Sequence, residues 1–225
     1  MPNVRQHPNW HIVYYLNTLS LNLFINVTER NINRHIYFPL VVWMKFTVQN
    51  IVASSALGLE LELYTIAAKI PNVEYEPEQF PGAILKLKEP KSSLLLFKNG
   101  KVICTGTRSE KEVKRALKRT LELLKPYGKK TKEFRANPAF AIQNIVASST
   151  LGLELDLYNI ASSLHEVEYE PEQFPGAILK LKDPKSSLLL FKNGKVICTG
   201  TKSEKEVDRA LKKTLALLKP LAEKK

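Results

Sequence analysis

The chain contains one unit twice. Residues 49–126 match residues 143–220 at a constant offset of 94 without a gap, and 65 of the 78 aligned positions are identical. A period this long that occurs only twice is not a solenoid, which needs several stacked units to bury a core. It reads as two fused copies of one α/β unit, related by an approximate two-fold axis. Residues 127–142 form the linker, with Gly128, Pro138 and four cationic residues. Residues 1–43 differ in composition: they contain no glycine and no lysine, yet hold both tryptophans. Their longest apolar run is broken by Pro39 and is far short of the ~18 residues of a membrane span. It also sits too late, with no small-residue cleavage site after it, to be a signal peptide.

Within one copy the elements follow from pattern. The β-branched stretch 49–55 predicts a strand, and 62–69 a short helix with Leu63, Ile66 and Ala67 on one face. A strand starts at Val73, and the loop Glu76-Pro77-Glu78-Gln79-Phe80-Pro81-Gly82 reverses the chain. Phe80 precedes a proline, which holds its backbone extended, and Gly82 is read as permitting a tight bend. Alternation in 83–88 puts Ala83, Leu85 and Leu87 on one face and Ile84, Lys86 and Lys88 on the other. A fourth strand, 92–97, meets a fifth, 102–105, through Lys98-Asn99-Gly100-Lys101, where Asn-Gly is a strong hairpin signal. Ser109 with Glu112 marks a capping box for a long helix, repeated by Ser203 with Glu206. Its inner face is Val113, Ala116, Leu117, Thr120, Leu121 and Leu124.

Two such units predict an α+β fold: a single antiparallel sheet with two long and two short helices, which can cover only one of its faces. The other face carries Asn50, Val52, Ser93, Leu95, Phe97, Ile103 and Thr105, with their partners 94 residues on. It is apolar and surrounded by lysines. A bare apolar face of that extent calls for a binding partner. The formal net charge of +12 favours a polyanion, either nucleic acid or an anionic membrane. Cys104 and Cys198 occupy equivalent strand positions and read as small core residues; metal ligation would need more Cys or His nearby. His165 is the only histidine past residue 35, so no His-based catalytic centre is visible, and no metal or cofactor is expected. The loop carboxylates Glu76, Glu78, Glu170 and Glu172 have no nucleophile beside them in both copies and read as exposed.

The segments Gln-Asn-Ile-Val-Ala, Glu-Tyr-Glu-Pro-Glu-Gln-Phe-Pro-Gly, Leu-Leu-Phe-x-x-Gly-Lys and Cys-Thr-Gly-x-Lys/Arg-Ser recur in order in both halves. Over about residues 48–220 the chain resembles the TATA-box-binding protein family in its archaeal form. The resemblance implies a saddle, a curved ten-stranded sheet with four helices on the convex face, whose underside sits on the DNA minor groove. An A·T pair offers only acceptors there, whereas G·C adds an amino group. On that implication Asn50, Asn144, Thr105 and Thr199 supply donors. Val52, Leu95, Ile103, Val146, Leu189 and Ile197 supply an apolar floor. Phe80 with Phe97, and Phe174 with Phe191, match the family's intercalating pairs. Lys86, Lys88, Lys101, Lys180, Lys182 and Lys195 rim the face and suit phosphates. Glu170, Glu172 and Gln173 carry the loop that docks transcription factor B in the family.

The implied partners are TATA-box duplex DNA, transcription factor B and the RNA polymerase preinitiation complex, with no membrane. The bare face is also where two free copies would pair as a homodimer. The implied place is the archaeal cytoplasm, on the nucleoid, or the nucleus in a eukaryote. Two rivals are weighed against this: an accessory domain of a nuclease or glycosylase, for which no catalytic cluster is present, and a protein-interaction scaffold, which the phenylalanine pairs and lysine rim argue against. One further expectation concerns residues 1–43. Met44-Lys45-Phe46 stands directly before the first copy, and Met1 and Met44 are the only methionines. Translation is expected to begin at Met44, the alternative being that residues 1–43 form a disordered or loosely packed arm. Intact mass of the native protein checks this, and a species carrying residues 1–43 contradicts it.

Overall fold

The computed structural model describes residues 44–222; the expectation about residues 1–43 lies outside them. The first copy runs β1 (Phe46–Ala56), β2 (Leu59–Leu61), α1 (Leu63–Lys69), β3 (Val73–Glu74), β4 (Ala83–Leu87), β5 (Ser92–Leu96), β6 (Lys101–Thr107) and α2 (Glu110–Leu124). A 3-10 turn (Lys125–Tyr127) and β7 (Gly128–Lys130) follow. The second copy runs β8 (Phe140–Thr150), α3 (Leu157–Ser163), β9 (Val167–Glu168), β10 (Ala177–Leu181), β11 (Ser186–Leu190), β12 (Lys195–Thr201) and α4 (Glu204–Leu218).

Ten strands form one sheet in the order β3-β4-β5-β6-β1-β8-β12-β11-β10-β9, which reads the same from either edge. All its pairings are antiparallel. The two copies meet where β1 pairs with β8, and Ile51 faces Ile145 there. Those residues are 94 apart, so the approximate two-fold axis passes between them. The sheet is curved, a saddle with the four α-helices on its convex face.

The one-sided cover comes from strand alternation. In β5 and β11 every second side chain, Ser92, Leu94, Leu96 and Ser186, Leu188, Leu190, is buried against the helices, and the intervening ones are half-exposed. The buried set of β6, Val102 and Cys104, joins Ala83, Leu85, Ile51 and Ala53 in the same core. From α2 the residues Val113, Ala116, Leu117, Thr120, Leu121 and Leu124 are buried, the face that periodicity predicts. Cys104 and Cys198 are fully buried, and desolvation pushes each thiol up to about 11. They are inert core residues, as their strand position suggests.

Three features depart from the pattern-based reading. Residues 59–61 form a strand that pairs with β7, so the segment read as linker contributes Gly128–Lys130 to a small second sheet. Three residues each is too short for periodicity to register. The capping box closes differently from the reciprocal form: Ser109 Oγ accepts from the Glu112 N–H, but Glu112 Oε2 accepts from the N–H of Arg108, one residue before the cap. Ser203, Glu206 and Lys202 do the same. Finally, Asp208 is buried where its counterpart Lys114 is exposed. Its Oδ1 accepts from the Met44 N–H at 2.9 Å and its Oδ2 from Lys212 Nζ at 2.7 Å. A carboxylate with two donors can be buried without leaving an unpaired charge.

Each long helix starts on a serine whose hydroxyl satisfies an otherwise orphaned N–H. Ser109→Ala and Ser203→Ala are each expected to cost about 1 kcal/mol. The two sites lie in separate copies and the losses should add; urea unfolding of the single and double variants measures both.

Candidate nucleic-acid interface

The open face is organised as rows running across strands. In the first copy Ile84, Leu95, Ile103 and Ser54 stand opposite one another through β4, β5, β6 and β1. A second row joins Lys86, Ser93 and Thr105. The second copy repeats them as Ile178, Leu189, Ile197, Ser148 and Lys180, Ser187, Thr199. In-register antiparallel pairing keeps each row on one face, so Leu95, Ile103, Leu189 and Ile197 form a contiguous apolar floor. Val52 and Val146 complete it beside the axis, opposite Asn144 and Asn50 respectively. All six are half-exposed.

The two asparagines are held by a backbone device. β6 gains one residue against β1 between Ile51 and Ala53, a bulge at Thr105-Gly106. Gly106 sits at φ +90°, a left-handed backbone that suits glycine. This turns its N–H onto Asn50 Oδ1 at 2.7 Å. With the oxygen engaged, the amide is oriented: Nδ2 lies 3.2 Å from Thr105 Oγ1. Asn144, Gly200 and Thr199 repeat the arrangement at 2.7 and 3.1 Å. The acceptor oxygen of each amide is thus taken by a backbone N–H. Each NH2 has a second N–H beyond the one given to threonine, which suits a surface that offers only acceptors.

At the two ends of the face stand the phenylalanine pairs. Phe80 and Phe97 meet edge to face with ring centroids 6.0 Å apart and planes at 64°, and Phe174 and Phe191 have the same geometry. Phe80 and Phe174 are 38% and 41% exposed, against the ordinary fate of large aromatics in a core. The rings lie over Gly82 and Gly176. A Cβ on Gly82 would come within 2.6 Å of Phe80 Cε1 and 3.3 Å of Phe97 Cε1; on Gly176 the distances to Phe174 and Phe191 are 2.7 and 3.2 Å. Neither glycine has a positive φ among the described residues. Residues 81 and 82 do form a bend, and glycine is required there because the two rings and the Leu96 carbonyl lie against its Cα.

The remaining residues are placed as follows. Lys86, Lys88, Lys101 and their counterparts Lys180, Lys182 and Lys195 are exposed. Lys86 and Lys180 pair with Glu74 and Glu168 on the neighbouring strands, with both partners more than half exposed. Such exposed pairs contribute little and can be exchanged for a phosphate at small cost. Glu170, Glu172 and Gln173 are exposed on a loop closed by the Gln173 and Phe174 N–H groups, which both donate to the Glu170 carbonyl. The first-copy loop closes identically through Gln79, Phe80 and Glu76. Pattern reading did not single out Gln49 and Gln143, which donate to Ser148 and Ser54 across the axis at 2.7 Å, nor Gly106 and Gly200. The glycine of each Cys-Thr-Gly segment was a visible signal for the latter. No group of three or more potential metal ligands occurs among the described residues, and none of their helices is long and apolar enough to cross a membrane.

Residues 45–127 and 139–221 each match the family model described as transcription factor TFIID (or TATA-binding protein, TBP). The TATA-box-binding protein of Pyrobaculum calidifontis is 44% identical over 176 residues, 78% of this chain and 87% of that protein. That of Methanothermobacter thermautotrophicus is 46% identical over 175 residues, 77% of this chain and 94% of that protein. The solved structure of Methanococcus jannaschii TBP superposes with a TM-score of 0.72 at 43% identity, covering 78% of this chain and 99% of that one.

Gly82→Ala with Gly176→Ala is expected to preserve the fold while displacing the exposed rings. Affinity for an A·T-rich duplex should fall by about tenfold, or 1.4 kcal/mol, measured by fluorescence anisotropy beside an unchanged circular dichroism spectrum.

Proposed function

The chain belongs to the TATA-box-binding protein family, and on that premise we propose that it seats its open sheet face in the minor groove of promoter DNA and bends it. The family consists of general transcription initiation factors, and this chain acts as one. Phe80 with Phe97 enters one base step, and Phe174 with Phe191 a second. Unstacking costs a few kcal/mol per step and is offset by the protein surface that the bent duplex contacts, a balance already described for this family. Pyrimidine–purine steps such as TA deform most cheaply, so sequence is selected partly by stiffness.

Between the wedges the floor of Val52, Leu95, Ile103 and their counterparts lies on the groove. A guanine amino group would be buried there without an acceptor. Asn50, Asn144, Thr105 and Thr199 donate to adenine N3 and thymine O2. Lys86, Lys88, Lys101, Lys180, Lys182 and Lys195 meet phosphates at the rim. The bent duplex and the loop bearing Glu170, Glu172 and Gln173 then receive transcription factor B, and RNA polymerase follows. What carries this reading is the pair of identical, half-exposed phenylalanine wedges at opposite ends of one apolar face.

Phe97→Ala with Phe191→Ala is expected to abolish most of the bend in a TATA duplex, read by energy transfer between end-labelled strands. An unchanged bend would discard the wedge role. A second outcome follows from the identity of the copies. Every floor, wedge, donor and rim residue named here is the same in both. The protein alone should therefore bind a TATA site in both directions almost equally, as mapped by cleavage from a tethered reagent, and a strong bias without transcription factor B would refute it.

A further inference from the structure

Only 13 of the 78 aligned positions differ between the copies, and five of them lie in one place. That place is a groove of about 520 Å³ at the outer edge of the first copy, between β4, the end of α1 and α2. Ile70, Pro71, Asn72, Glu89 and Arg119 line it, where the second copy has Leu164, His165, Glu166, Asp183 and Lys213. These five are half of the groove's ten lining residues, so divergence is concentrated there rather than spread over the surface.

The exchanged residues act together. In the second copy the equivalent site is latched. Lys213 Nζ donates to the Asp183 carbonyl at 2.9 Å, and Arg209 grips the Asp183 carboxylate at 2.9 and 3.0 Å. Leu181 beneath is buried at 7% exposure. In the first copy Arg119 instead turns along its own helix to Glu122, 3.6 Å away. Leu87, the counterpart of Leu181, is left half-exposed. The groove floor is then aliphatic, Leu85, Leu87 and Leu123, and its rim carries Lys86, Lys88, Arg119 and Glu89, with Lys86 paired to Glu74 and Arg119 held only by an exposed contact to Glu122. The acid that Glu166 supplies in the second copy is Asn72 here.

We propose that this groove docks a short peptide segment of a partner protein, one with an aliphatic side chain flanked by carboxylates. The aliphatic group covers Leu87 and Leu123, which water otherwise reaches. The carboxylates meet Arg119, whose planar donors fit them. The groove also supplies what the DNA-facing side lacks, a feature found on one copy only. A partner held there marks one end of the saddle.

The second copy provides its own control. Replacing Ile70→Leu, Pro71→His, Asn72→Glu, Glu89→Asp and Arg119→Lys together installs the second copy's residues; position 72 then has to leave the φ of +65° that Asn72 holds and Glu166 does not, so an unchanged circular dichroism spectrum is required of the variant. Arg115, the counterpart of Arg209, is in place to complete the latch. The probe is a hexapeptide alternating aspartate and leucine, with a lysine–leucine hexapeptide as its charge-reversed control, titrated into the full chain by amide NMR. The aspartate–leucine peptide should shift the amides of Leu87 and Leu123, and the five-fold variant should lose at least tenfold in affinity while binding TATA duplex unchanged. Absence of binding, equal binding by the variant or by the lysine–leucine peptide, or shifts confined to the underside would each overturn the proposal. A matching loss of duplex affinity in the variant would do so too, by assigning the groove to DNA.

Discussion

Everything in this molecule depends on a sheet that the described residues cover on one side only. Ten strands pair through both copies, and in each strand alternate side chains point to opposite faces. The four helices supply enough apolar surface to bury one set: Leu94, Leu96, Val102 and Cys104, with the like residues of the second copy. Among the described residues the other set has no protein layer to meet. Leu95 and Ile103 are left half-exposed for the same reason that Leu94 and Cys104 are buried. An apolar face of that kind persists in a stable protein only if a partner covers it.

On such a face, local backbone detail decides what the partner can be. The bulge at Gly106 turns an N–H onto Asn50 Oδ1, which fixes the amide with its nitrogen beside Thr105 Oγ1. The Cα of Gly82 makes room for the Phe80 and Phe97 rings to stand edge to face and exposed. Neither device is costly in itself, because glycine adopts both settings without a Cβ to accommodate. Because they are duplicated by the fusion, the face acquires two donor pairs near its centre and two ring pairs at its ends. That spacing is a property of the fold and not of either copy alone.

Much of this could be read from the residues. The 94-residue offset gave the two-fold relation, alternation separated floor from core, and helix periodicity named the buried face of α2 without error. What escaped had physical causes. The strands β2 and β7 are three residues each and leave no periodic trace. Gly82 could be read as a bend residue but not as the seat of two rings, because they come from Phe80, nearby, and from Phe97, fifteen positions on. Asp208 looked like any surface carboxylate of a charged helix, since its partner, the Met44 N–H, is 164 residues away. The open groove beside Leu87 rests on small differences such as Glu89 for Asp183, which are conservative in sequence and decisive only once the latch of the second copy is seen.

The central claim is that four exposed phenylalanine rings open stacked bases from the minor-groove side. The structure of the protein bound to a TATA duplex tests it most directly. The account predicts Phe80 with Phe97 in one base step and Phe174 with Phe191 in another, with the duplex kinked at both. A straight duplex, or one lying against the helices with the rings still packed only on each other, would contradict it.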